Sequence, residues 1–185
     1  MAVAQRMSEQ EYKRFLLAGA EGVWELHDGV LVEKPGMSFR HGEVPARLAF
    51  FLLSQLDWNE YSVVVELRVR RPDGTVFVPD LMVIPASYSD EIRDRPELAI
   101  YSEPVPLIVE VWSPSTGEFD RSAKIPVYQE RGDLEIWFIH PYDRTVTRWV
   151  RQADGSYSET VHRSSPVIPD SLPGVVIDLD RLFAG

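Results

Sequence analysis

Between Ser38 and about Trp58 the apolar residues Val44, Leu48, Phe51, Leu52 and Leu56 recur at three- and four-residue spacing, which predicts an amphipathic helix, the longest in the chain. Pro45 fits only if the regular helix begins near Gly42 to Glu43 or kinks at the proline. Upstream, Ser8 with Glu11 three places on reads as a capping box opening a short helix to about Ala18. Val23–Leu26 and Val30–Val32 flank His27-Asp28-Gly29 as a hairpin, with Gly29 taking the positive φ. Tyr61–Val69 and Thr75–Ile84 are extended runs joined by Arg71-Pro72-Asp73-Gly74, a second hairpin whose ladder should open or bulge at Pro79.

From Pro85 to Pro104 the mixed composition predicts a connection with one helical turn near Glu91–Arg93. Val105–Trp112 is a strand, and Asp120–Arg131 a helix stopped by Gly132, with Pro126 limiting its regular part. Three more strands follow at Glu135–Ile139, Thr145–Arg151 and Tyr157–His162, then Val175–Ile177 and a last helical turn at Leu179–Phe183. The pattern gives an α+β fold, one curved mixed sheet partly covered by two main helices, in a single domain over residues 1–185 with a loose end at 1–7.

Composition narrows the chemistry. The 185 residues are 44% hydrophobic and 11% aromatic, enough for a core without staples. With no cysteine, disulfides and thiolate metal sites are excluded, and a bound metal would rest on carboxylates, carbonyls and the four His, a supply that suits Mg²⁺ or Mn²⁺. No stretch has the length of a membrane span and no signal peptide is visible, so a cytoplasmic location is expected. A net charge of −10 excludes general electrostatic coating of nucleic acid. Any DNA contact must be local, with Arg68, Arg70 and Arg71 or Arg144, Arg148 and Arg151 as candidates, unless these are ordinary solvated strand faces.

One carboxylate stands out. Glu110 lies inside Pro106-Leu107-Ile108-Val109-Glu110-Val111-Trp112-Ser113-Pro114, an apolar run of strand length. There it must neutralise, face solvent or meet a cation. Asp80 follows the strand break at Pro79, and neighbouring strands can bring the two carboxylates together, where they repel unless a proton or a divalent cation lies between them. Lys124, on the next helix, completes an Asp, Glu, Lys set suited to metal-assisted phosphodiester hydrolysis, although a lysine in a first helical turn is ordinarily a surface residue.

Several motifs in register carry a resemblance: Trp24-Glu25-Leu26-His27-Asp28-Gly29, His41, Val78-Pro79-Asp80, the strand from Leu107 to Ser115, Lys124-Ile125-Pro126-Val127-Tyr128 and Gly132. From about Ser8 to Phe183 the chain resembles the Uma family of restriction-endonuclease-like proteins in the PD-(D/E)xK nuclease superfamily. The resemblance implies a restriction-endonuclease-like mixed central sheet flanked by helices, with extra hairpins, and a Mg²⁺ or Mn²⁺ nuclease centre. It makes Asp80 the Asp of the PD element and Glu110 the second acidic residue. Trp112 occupies the usual lysine position, so Lys124 looks like a migrated replacement. Glu25 becomes an additional carboxylate ligand and His41 a supporting or substrate-contacting group, where Glu25 alone would read as a turn residue and His41 as a cap. His140-Pro141 departs from the family's Asp-Pro and is expected to be a structural turn.

The implied activity is a metal-dependent endodeoxyribonuclease acting as a homodimer. A catalytically silent binding or assembly protein on the same scaffold, and a hydrolase of small phosphodiesters, remain the alternatives; the acidic balance suits both.

Overall fold

The computed structural model describes residues 6–36, 38–71 and 73–184. Of the loose end expected at 1–7, the first five positions lie outside the described residues, as does Pro72 of the expected turn. Met7 is already tied down, its N–H donating to the Gly29 carbonyl at 2.8 Å.

Helix α1 (Glu9–Leu17) opens on the expected capping box of Ser8 and Glu11. Strands β1 (Val23–His27) and β2 (Val30–Lys34) form the first hairpin, with His27 facing Val30 across a two-residue turn. Asp28 and Gly29 both have positive φ, 48° and 81°, the mirror-image turn that matches strand twist. Helix α2 (Phe39–Leu53) starts earlier than Gly42 because the Ser38 side chain caps it, accepting from the His41 N–H. Pro45 therefore sits inside the helix and leaves the His41 carbonyl without its i+4 donor.

The second hairpin comprises β3 (Tyr61–Val65), β4 (Arg68–Arg70), β5 (Val76–Phe77) and β6 (Leu81–Pro85). Its arms keep one register throughout: Val65 pairs Leu81, and beyond a gap Val69 pairs Phe77. The gap contains Pro79 and Asp80, as the missing proline donor predicts, together with Glu66, which takes a left-handed φ of 52°. At this gap the hairpin divides between two sheets, so the expected single sheet is corrected to two. One has the order β2-β1-β5-β4-β7 and the other β11-β10-β9-β8-β6-β3.

The remaining elements are α3 (Ala86–Ile92), β7 (Ile100–Tyr101), β8 (Leu107–Val111), α4 (Gly117–Phe119), a π-helical turn (Asp120–Lys124), α5 (Ile125–Arg131), β9 (Glu135–His140), β10 (Thr145–Arg151), β11 (Tyr157–His162) and α6 (Leu179–Leu182). The connection after β6 is thus more regular than its composition suggests, since α3 directly continues the strand and β7 pairs in parallel with β4. Among the described residues no helix is long and apolar enough to cross a membrane.

The central strands of the six-stranded sheet, β6, β8, β9 and β10, are buried on both faces. Leu81, Val83, Leu107, Val109 and Val111 pack with the Val44–Leu48–Leu52 side of α2 and with α6. The alternate residues Met82, Ile84 and Ile108 pack with Ile125 and Tyr128 of α5 and with Val69, Phe77 and Tyr101 of the smaller sheet. This second layer encloses the site.

Candidate functional site

Strand alternation puts Glu110 on the same face as Ile108, between the two sheets. In the antiparallel pair β6–β8, Leu81 faces Val109, and Asp80, immediately before β6, is thereby brought alongside β8 next to Glu110. The Asp80 N–H donates to the Val109 carbonyl at 3.1 Å, and the Val111 N–H donates to Asp80 Oδ2 at 2.7 Å. All five side chains singled out from the sequence are buried: Glu25 2%, His41 3%, Asp80 5%, Glu110 1% and Lys124 1% exposed. The solvated readings of Glu25, Glu110 and Lys124 are thereby excluded.

Lys124 is held by three carboxylates, with Nζ 2.8 Å from Glu25 Oε1, 3.0 Å from Asp120 Oδ1 and 3.3 Å from Glu110 Oε1. A local irregularity accompanies it. The Ile125 N–H reaches back five residues to the Asp120 carbonyl, a π-turn placed just before Pro126, which can donate nothing. Asp120, Lys124 and Tyr128 then share an inward face, and the Tyr128 hydroxyl donates to Glu110 Oε1 at 2.6 Å. Glu25 has both oxygens engaged, Oε1 also accepting from the Val78 N–H at 2.8 Å and Oε2 lying 2.7 Å from His27 Nε2.

A second ammonium group serves Asp80. Lys34, the last residue of β2, places Nζ 2.9 Å from Asp80 Oδ1 and 2.9 Å from the Val78 carbonyl oxygen. His41 Nε2 lies 3.4 Å from Asp80 Oδ2.

The electrostatics separate the carboxylates. Burial opposes ionisation of Asp80, but the His41 hydrogen bond and the Lys34 charge outweigh it and hold Asp80 well below the usual carboxylate range. Burial likewise opposes Glu25, yet Lys124 and His27 hold it down at about 2. At Glu110 burial wins: Lys124 pulls the pKa down, Asp120 and Asp80 push it up, and it settles at about 8. Lys124 is raised well above its ordinary value, since Glu110, Glu25 and Asp120 overcome its burial.

The donor set fits a hard divalent cation. It offers oxygen, one buried carboxylate oxygen, Glu110 Oε2, has no hydrogen-bond partner, and a positive group already rests on Asp80 and the Val78 carbonyl. Asp80 and Glu110 are the residues that would hold such an ion. Among the described residues, no three Asp, Glu or His side chains are gathered to bind a metal by themselves. Glu25 turns its oxygens to Lys124, the Val78 N–H and His27. Two hollows give access: one of about 210 Å³ lined by Gly42, Pro45, Ala46, Val65, Glu66 and Asp80, and one of about 260 Å³ that Lys34 and Glu66 share with Gly22.

Sequence reasoning missed Lys34, His27, Asp120 and Tyr128. The spacing Asp120, Lys124, Tyr128 was itself a signal, because residues four apart stack on one helix face. The two arginine groups serve the fold to a large extent: Arg70 pairs with Glu9, Arg71 with Asp73 and Glu130, and buried Arg148 with Glu135 and Asp170. Trp112 stacks on His140 at 4.3 Å, which makes His140-Pro141 a structural turn.

Comparison with known proteins agrees with this architecture. A solved structure described as "a putative nuclease belonging to DUF820 from Anabaena variabilis ATCC 29413" is 20% identical and superposes with a TM-score of 0.76 over 96% of this chain and 98% of that one. No curated protein matches. Residues 9–180 match the Uma2 family, described as "Putative restriction endonuclease", and the chain belongs to that family.

Proposed function

We propose that the chain is a divalent-metal-dependent nuclease that hydrolyses DNA phosphodiester bonds, with Asp80 and Glu110 as the metal-holding pair. The observation that carries this reading is the β6–β8 pairing, which brings two buried acids onto adjoining segments, together with a buried Glu110 Oε2 that has no hydrogen-bond partner. The family description and the nuclease fold support it. A bound Mg²⁺ or Mn²⁺ would supply Lewis-acid polarisation of a phosphoryl oxygen and would lower the pKa of a water toward the nucleophilic hydroxide.

The chain's own groups do the rest. Asp80, kept ionised by Lys34 and His41, offers a fixed negative oxygen. Tyr128 and Lys124 fix Glu110 through Oε1 and so aim Oε2. Glu25 and Asp120 hold Lys124 in place, which makes Lys124 a positioning residue whose burial keeps it from solvent. His41 steadies Asp80 on the side of α2.

The test is plasmid cleavage by the purified chain with Mg²⁺ or Mn²⁺. Cleavage that Asp80→Asn and Glu110→Gln abolish is expected, and cleavage undiminished in those variants would refute the assignment. The two internal lysines favour one competing reading, a silent scaffold whose acids are permanently neutralised. It predicts no divalent binding that depends on Asp80 in calorimetry.

A further inference from the structure

Lys34 keeps Asp80 ionised, yet its ammonium occupies the position a cation would take. Nζ is 2.9 Å from both Asp80 Oδ1 and the Val78 carbonyl oxygen, two oxygen donors of the kind a hard ion selects. Lys124, by contrast, is enclosed among three carboxylates and under the Phe77 ring. The Lys34 side chain is 13% exposed and borders the 260 Å³ hollow lined also by Gly22, Val23, Glu33, Pro35, Gly36 and Glu66. It ends β2, the outermost strand of its sheet, and Pro35-Gly36 follows outside the ladder.

We propose that Lys34 is an exchangeable internal cation: a divalent ion binds Asp80 only by displacing the Lys34 ammonium into the adjoining hollow. This rests on the reading of Asp80 and Glu110 as metal-holding residues. The displaced ammonium enters the hollow that opens beside the site, where it can meet an incoming phosphate oxygen. Apparent metal affinity falls in proportion to the fraction of molecules in which the position is free, so a lysine seated about nine-tenths of the time weakens binding about tenfold.

Calorimetric Mn²⁺ titration of the full chain tests this with wild type, Lys34→Met and Asp80→Asn, folding being checked by circular dichroism. The expected result is binding about tenfold or more tighter in Lys34→Met and lost in Asp80→Asn. Equal or weaker binding in a folded Lys34→Met, with Asp80-dependent binding in wild type, overturns the exchange and leaves the metal-holding pair standing. No binding in any variant overturns both. Should Lys34→Met not fold, ¹⁵N spectroscopy of the lysine ammonium groups in wild type decides. Added Mg²⁺ is expected to shift or broaden the Lys34 signal while that of Lys124 persists; an unchanged Lys34 signal at saturating Mg²⁺ overturns the proposal.

Discussion

Replacing Lys124 by methionine separates a sealed charge cluster from a peripheral lysine. The substitution keeps the length and apolar stem of the side chain but withdraws the positive charge from Glu25, Glu110 and Asp120, all within 3.3 Å of Nζ. Removing one partner of a buried ion pair costs about 3–5 kcal/mol, because the remaining charge is left uncompensated. Here Glu110 softens the loss, since burial already drives it toward the neutral form with a pKa of about 8. Glu25, held at about 2 with Lys124 as the leading charge partner, does not. We therefore expect a loss of about 3–4 kcal/mol, a large share of the 5–15 kcal/mol typical of a whole domain. For a chain of this size that corresponds to a fall in Tm of roughly 6–16 °C. Urea unfolding followed by tryptophan fluorescence measures it, with the m-value checked for constancy. The double variant Lys124→Met, Glu110→Gln should lose less than the sum of the two single changes, because both break the same Lys124–Glu110 contact. A loss below about 1 kcal/mol, the range of an exposed pair, would show that Lys124 is not enclosed as described.

Two further expectations concern stability. Glu110 has an ordinary pKa of 4.5 and one of about 8 in the fold, so between those values the folded chain holds a proton that the unfolded chain releases, and stability falls as pH rises through that window. Glu110→Gln should flatten this decline, read from urea midpoints at pH 5, 6.5 and 8; a wild-type midpoint that does not fall over this range contradicts the burial argument. A methyl group at Gly117 would lie 2.1 Å from the Trp112 ring, so Gly117→Ala must displace the indole from its stack on His140. A cost of about 1–3 kcal/mol and an altered Trp112 emission are expected, against no change if the ring can shift freely.

Much of the site could be read from the residue order. Pro79 announced a break in the ladder, and the apolar run around Glu110 announced a buried strand; together they placed two acids on adjoining strands. What sequence could not give was the partner of each acid. Lys34 ends an edge strand whose alternation reads only as half-exposed, and nothing in its neighbourhood says which distant loop it will meet. The enclosure of Lys124 depends on Glu25 of β1 and Glu110 of β8, partners that the helical spacing of its own segment does not name. The second sheet was missed for a related reason: β4, β5 and β7 are two or three residues long, too short for alternation to register, and they are assembled by contacts with β1 and with one another.

The gap in the second hairpin has a practical consequence. The peptide groups it releases are not left to water: the Val78 N–H goes to Glu25, its carbonyl to Lys34, and the Asp80 N–H to Val109. The unzipped stretch is therefore a socket into which site side chains plug as substitute rungs. Truncating Glu25 or Lys34 to alanine would pull out a rung as well as a charge, stranding a buried peptide group. Alanine scanning here confounds folding with chemistry, and an exchange that keeps the hydrogen-bonding atom while removing the charge, such as Glu25→Gln, is the instrument that keeps the two apart.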